Sequence, residues 1–173
     1  FVGILFMLLG AVPFMLYLPF LSGHPTSLIR DAQVHSMLLI YFVVASLLAV
    51  WLVVTGQMES APAFREAAFN VVSIATTTGF VSADYMQWGA LAVMLFFFLT
   101  FVGGCSGSTS GGIKIFRFKI AFVMFRETIL RLLHPNATFS RTMQGRPLND
   151  DIVASVMAFA LIFAVTVAVA ATL

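Results

Sequence analysis

Apolar residues run along this chain in long blocks separated by short polar breaks, the pattern of membrane segments rather than of amphipathic surface helices. Residues 1–21 are apolar over roughly the 20 residues that a spanning helix needs, but Pro13 and Pro19 predict a kink or an early end. We read this block as the second half of a spanning helix. A polar turn is expected over residues 22–33, with Gly23, His24, Pro25, Arg30 and Asp31. His24 and His35 are read as loop or headgroup-level residues rather than proton carriers. Residues 37–54 carry no charge and form the cleanest predicted span, with Trp51 near its end as an interfacial aromatic.

The next blocks break the simple pattern. Residues 56–62 form an outer loop with Glu59, and Pro62 suits the first turn of a helix over 63–75. That helix would be about 20 Å long, too short for a hydrocarbon core of about 30 Å, and it carries Arg65, Glu66 and Asn70. A short, partly polar helix before a glycine turn and another apolar run predicts a re-entrant pore helix; the alternative is a helix lying flat in the interface. Residues 81–87 lead back to the outer face, with Asp84, Tyr85 and Trp88 at headgroup level. Residues 89–102 return inward, and Phe96, Phe97 and Phe98 are read as lipid-facing or packing surface. After a glycine- and serine-rich break, a second helical piece is expected over 113–133, ended by His134-Pro135-Asn136. A polar linker follows over 137–150, where Asn149 or Asp150 can cap a last span over 152–173.

Composition agrees: 61% of residues are hydrophobic and 9% charged, and the mean hydropathy is +1.04. A soluble domain cannot hide that much apolar surface, so an integral membrane protein is expected, and its predicted helical blocks make the expected fold class an all-α membrane protein. Seven of the nine Lys and Arg residues (Lys114, Arg117, Lys119, Arg126, Arg131, Arg141, Arg146) share one stretch. Beside membrane segments, such a stretch marks the cytoplasmic side rather than a nucleic-acid site. With Arg30 inside and Glu59 and Asp84 outside, the short helix enters from outside. The negative end of its dipole then favours a cation at the turn that follows. Cys105 is the single cysteine and is read as a packing residue. Both termini fall in apolar runs, which predicts a piece of a longer polypeptide.

Two constellations carry the candidate chemistry. The first is Thr76-Thr77-Thr78-Gly79-Phe80. Backbone carbonyls can replace the water shell of a dehydrated K+, and Gly79 gives the freedom to turn them toward one axis. The threonine hydroxyls would anchor the strand or add an oxygen, and Phe80 would wedge the turn against neighbouring helices. One such turn supplies a quarter of a fourfold filter. The second is Gly103, Gly104, Cys105, Ser106, Gly107, Ser108, Thr109, Ser110, Gly111 and Gly112, followed by Lys114. Irregular backbone at membrane depth must be buried in protein or line a watery cavity. A loop of small residues there can lie across a conduit as a gate; alternatively, its small-xxx-small pairs serve helix packing. Lys114 would neutralise loop carbonyls or repel cations, or else snorkel inward. No Gly-Lys-Ser/Thr follows the glycines, so a phosphate loop is excluded. No nucleophile–base set or His/Cys ligand cluster points to an enzyme.

Together these residues resemble the Trk/Ktr/HKT potassium-transporter superfamily, most closely the membrane subunit of the bacterial Trk uptake system. The resemblance implies a potassium-channel-like unit: membrane helix, re-entrant pore helix, filter loop and broken membrane helix. Residues 1–34 would end a preceding pore unit and add a cytoplasmic loop. Residues 35–134 would be a complete unit, and 135–173 a cytoplasmic linker and the first helix of the next unit. Thr77 and Thr78 would be the chief ion-contacting positions beside Gly79, and the loop from Gly103 to Gly112 the intramembrane gate. K+ would be the transported ion, with no bound cofactor. The expected partners are the bilayer, the remaining pore units of the same polypeptide, a cytoplasmic nucleotide-binding regulatory subunit and a second copy in a homodimer. The expected location is the bacterial plasma (inner) membrane. Two rival functions follow from the residues: a secondary transporter whose broken helix binds a small solute, and a non-conducting assembly subunit.

Overall fold

The computed structural model describes residues 1–23, 31–133, 142–143, 146–147 and 150–172. The expectations placed on His24, Arg30, His134-Pro135-Asn136, Asn149 and most of the 137–150 linker lie outside these residues. The regular elements of the described residues are helices, apart from one antiparallel pair of two-residue strands, β1 (Thr142–Met143) and β2 (Arg146–Pro147). It divides into two compact units, Phe1–Phe116 and Arg117–Leu173.

In the first unit the opening apolar block is not one helix. Helix α1 (Val2–Ala11) stops before Pro13, a 3-10 turn (Phe14–Leu16) leads into α2 (Tyr17–Leu21), and the stretch Phe14–Leu21 leaves at 98° to α1. Proline has no amide hydrogen, and its ring clashes with the carbonyl four residues back, here that of Leu9. That carbonyl is taken instead by Val12 N at 3.2 Å and by the Tyr17 hydroxyl at 2.6 Å.

Helix α3 (Ala32–Val54) begins five residues before the predicted Met37. Asp31 caps it, its side chain accepting from Gln33 N at 2.7 Å and Val34 N at 3.1 Å. Gln33 is therefore helical rather than part of the polar turn, and His35 lies in the first turns of the helix rather than in a loop. At 23 residues α3 is about 35 Å long, enough to span. Its inner face (Val34, Met37, Tyr41, Ala45, Leu48, Leu52) is buried, and its other faces expose Leu39, Phe42, Leu47 and Val50. A helix apolar all round is made for lipid or for further protein within the membrane.

Helix α4 (Ser60–Ala75) turns back from the C-terminal end of α3 and packs along it, with Pro62 in its first turn. Fully buried Ala63 and Ala67 let the two backbones approach closely. Sixteen residues make about 24 Å, so α4 ends some way short of the far end of α3. The helix starts three residues earlier than expected and is still too short to cross.

The chain then climbs back to the C-terminal end of α3, where the Trp51 indole donates to the Trp88 carbonyl at 3.1 Å. Trp88, expected at headgroup level, is instead 3% exposed in a 3-10 turn (Tyr85–Trp88) and packs on Phe96, with ring centroids 5.9 Å apart. Its indole is worth more buried among aromatics than at the surface. The Phe96-Phe97-Phe98 run of α5 (Ala90–Phe101) divides, with Phe96 in the core and Phe97 and Phe98 exposed.

Helix α6 (Ile115–Leu133) lies mostly in the second unit, together with α7 (Asp150–Thr172). There Ile120, Val153 and Val156 are buried, and the Arg117 guanidinium sits 3.8 Å above the Phe159 ring. Of the described helices, α3 and α7 are long and apolar enough to cross a membrane, as is the bent α1–α2 pair if it counts as one span.

Candidate functional site

The site is built from the end of α4, the turn after it, the break between α5 and α6, and the break after α1. The C-terminal turn of α4 gathers in the amides of the threonine segment. Thr76 N donates to Val72 O at 2.9 Å, Thr77 N to Ile74 O at 3.0 Å, and Thr78 N to Ser73 O at 2.9 Å. Gly79 N also reaches Ser73 O at 3.4 Å. The carbonyls of Thr77, Thr78 and Gly79 accept no hydrogen bond among the described residues. The φ angle is positive at Thr77 (57°) and Gly79 (81°) but not at Thr78. The result is a strip of bare carbonyl oxygens with every amide turned back into the helix end.

The threonine side chains divide in direction. Thr76 and Thr78 share a hydroxyl–hydroxyl bond at 2.7 Å and line a cavity of about 310 Å3 with Gly3, Phe6, Met7, Gly10, Phe80 and Thr109. The Thr77 hydroxyl donates to Thr76 O and accepts from Gly111 N, both at 2.7 Å. Phe80, expected as a wedge, is 63% exposed at the rim of the cavity. The limb beyond it is held elsewhere, by the fully buried Asn70. Asn70 Nδ2 donates to Glu66 O at 3.0 Å and Ser82 Oγ at 3.2 Å, while Asn70 Oδ1 accepts from Ser82 N at 3.3 Å. The Ser82 hydroxyl also donates to the Glu66 carboxylate.

Residues 103–112 form a non-helical loop closed at its base. Val102 and Ile113 make a parallel bridge, Gly103 N donates to Ile113 O at 2.9 Å and Ile115 N to Gly104 O at 3.1 Å. Inside the loop, Gly104 N donates to Ser110 Oγ at 2.7 Å, and Ser108 Oγ to Cys105 O at 2.7 Å. A Cβ on Gly103 would run into the Gly111 carbonyl oxygen, so that position is held to glycine by space. Because the segment is not helical, its glycines do not form the helix-packing stripe considered from sequence. Lys114 Nζ reaches back to the carbonyls of Ser108, at 3.3 Å, and Ser110. Cys105 is fully buried, with its thiol 3.8 Å from Met37 Sδ. Ser106 N donates to Gln33 Oε1 at 3.2 Å, which sets this end of the loop near the N-terminus of α3.

The loop also docks into the break after α1. Cys105 N donates to Ala11 O at 3.1 Å, Thr109 N to Gly10 O at 3.2 Å, and Phe14 N to Gly107 O at 3.0 Å. The structure thus brings both sequence motifs to one place, Thr76–Thr78 on one side and the glycine loop on the other. Sequence reasoning missed Gly3, Gly10 and Met7 as cavity walls and Asn70 and Ser73 as supports. Only Asn70 carried a signal, as an amide in an apolar helix.

Comparison with known proteins identifies the family. Residues 1–172 match the family described as TrkH: Cation transport protein. The chain is 49% identical over 169 residues to the Trk system potassium uptake protein TrkI of Halomonas elongata, covering 96% of this chain and 34% of that protein. It is 32% identical over 171 residues to the Trk system potassium uptake protein TrkH of Escherichia coli K12, covering 94% and 35%. The crystal structure of the potassium transporter TrkH from Vibrio parahaemolyticus superimposes with a TM-score of 0.85 at 30% identity, over 94% of this chain and 36% of that one. The chain therefore spans about a third of the length of the curated relatives it matches. Such transporters reside in the bacterial inner membrane, a setting suited to the apolar helices found here. The chain belongs to the TrkH family of cation transport proteins, which are transporters and not enzymes.

Proposed function

We propose that this chain is part of a potassium uptake protein, in which the Thr76–Phe80 turn is one quarter of a cation filter and residues 103–112, with Lys114, form the gate beneath it. The observation that carries the reading is the run of bare carbonyls at Thr77, Thr78 and Gly79. Oxygens without donors, at the negative end of a helix, offer a dehydrated cation ligands in place of water. Positive φ at Thr77 and Gly79, on either side of Thr78, is the alternation of hand that lets successive carbonyls face one side, where a regular strand would alternate them. K+ enters as cargo, and the reading needs no bound cofactor.

The names of the relatives support potassium as the ion. The remaining pore units of the same polypeptide would complete the ring of oxygens. By resemblance to the family, a cytoplasmic nucleotide-binding regulatory subunit would dock near the basic stretch, and the assembly would be a homodimer. The test is Gly79→Ser in the full-length protein, reconstituted in liposomes. A positive φ at a serine is strained, so discrimination of K+ from Na+ should fall. Uptake with unchanged selectivity contradicts the filter assignment.

A further inference from the structure

We propose that the Thr77 side chain couples the filter to the loop, so that ion selectivity depends on where the loop sits. The inference rests on the filter-and-gate reading and adds a positioning residue to it. Among the described residues Thr77 is the one non-glycine with positive φ. A β-branched residue is poorly suited to that conformation and keeps it only where the surroundings enforce it.

Two contacts do so here. The hydroxyl has one hydrogen to give, and it gives it to Thr76 O at 2.7 Å. It then accepts the Gly111 amide at 2.7 Å. Gly111 is close enough that a Cβ added there would lie 3.3 Å from Thr77 Cγ2. The hydroxyl is thereby fixed between a filter carbonyl and the gate backbone. The Thr76–Thr77 peptide and the left-handed Thr77 conformation, which sets the bare Thr77 carbonyl on the next peptide, keep their orientation while the loop is docked. Displacing the loop removes the Gly111 amide, leaves the left-handed conformation unsupported, and lets the carbonyl turn off the ion axis. Selectivity and loop position are then one equilibrium read at two places.

The experiment uses full-length protein in liposomes, with K+ and Na+ permeation measured for Thr77→Val, Thr77→Ser, Gly111→Pro and the Thr77→Val/Gly111→Pro double variant. Thr77→Val removes the hydroxyl at constant shape, and Gly111→Pro removes the amide hydrogen from the other side. Each should lower the K+/Na+ ratio by about fivefold, the scale of one neutral hydrogen bond. Thr77→Ser should keep most of the ratio, and the double variant should be no worse than either single one, since both cut the same bond. Unchanged selectivity in either single variant, or fully additive losses, overturns the coupling. Gly79→Ser measured in parallel separates the two ideas. If it loses selectivity while Thr77→Val keeps it, the coupling alone falls; if neither loses it, the filter falls too.

Discussion

The carbonyl of Gly10 accepts two hydrogen bonds from Thr109, one from its amide at 3.2 Å and one from its hydroxyl at 2.8 Å. In an unbroken helix that carbonyl would take the amide of Phe14, four residues on. Here Phe14 N donates to Gly107 O instead. The break that Pro13 imposes exchanges a bond within the helix for bonds to the loop, and each segment completes the backbone of the other. Within a bilayer an amide or carbonyl left unpaired is costly, so each break is stabilised by its partner.

Replacing Thr109 by Val removes one of the two bonds and leaves the amide in place. One neutral hydrogen bond is worth about 1 kcal/mol, or roughly fivefold in an equilibrium. We predict a rise of that order in basal Rb+ leak through the full-length protein in liposomes. A leak equal to the parent's would detach the loop from gating.

The glycines of the loop should differ in a defined order. A Cβ at Gly103 meets the Gly111 carbonyl oxygen, whereas one at Gly107 meets open space and only a positive φ of 76°. Overpacking costs about 1–3 kcal/mol, and left-handed strain about 1–2 kcal/mol. Gly103→Ala should therefore lower the thermal midpoint of the solubilised full-length protein more than Gly107→Ala. The reverse order would mean that the loop is packed differently.

Asn70 is the hidden support of the filter limb. Asn70→Leu keeps the branched outline of Asn but removes the acceptor of the Ser82 amide, at a cost of about 1 kcal/mol. We predict a lower thermal midpoint and weaker K+ competition against Na+ for Rb+ uptake. A variant with parental stability and selectivity would show that Ser82 is held by other contacts.

Much of this was legible in the chain because it rests on local rules. The uncharged run after Met37, the half-length helix and the cluster of glycines each follow from hydropathy, length or backbone freedom. Pro13 announced a break, whereas Asp31, which caps α3, was read only as part of the polar turn and the helix was expected from Met37. What escaped is made by long-range backbone bonds. Nothing in Gly10 or Ala11 shows that their carbonyls will meet Thr109 and Cys105, about a hundred residues away. Trp88 escaped for a related reason: an aromatic near an interface has the same signature whether its ring faces lipid or, as here, Phe96.

Anomalous diffraction from crystals of the full-length protein soaked in Rb+ tests the central claim most directly. The account predicts a Rb+ peak on the axis, in direct contact with the carbonyl oxygens of Thr77, Thr78 and Gly79. Rb+ bound elsewhere in the protein, with those oxygens left to water, would contradict it.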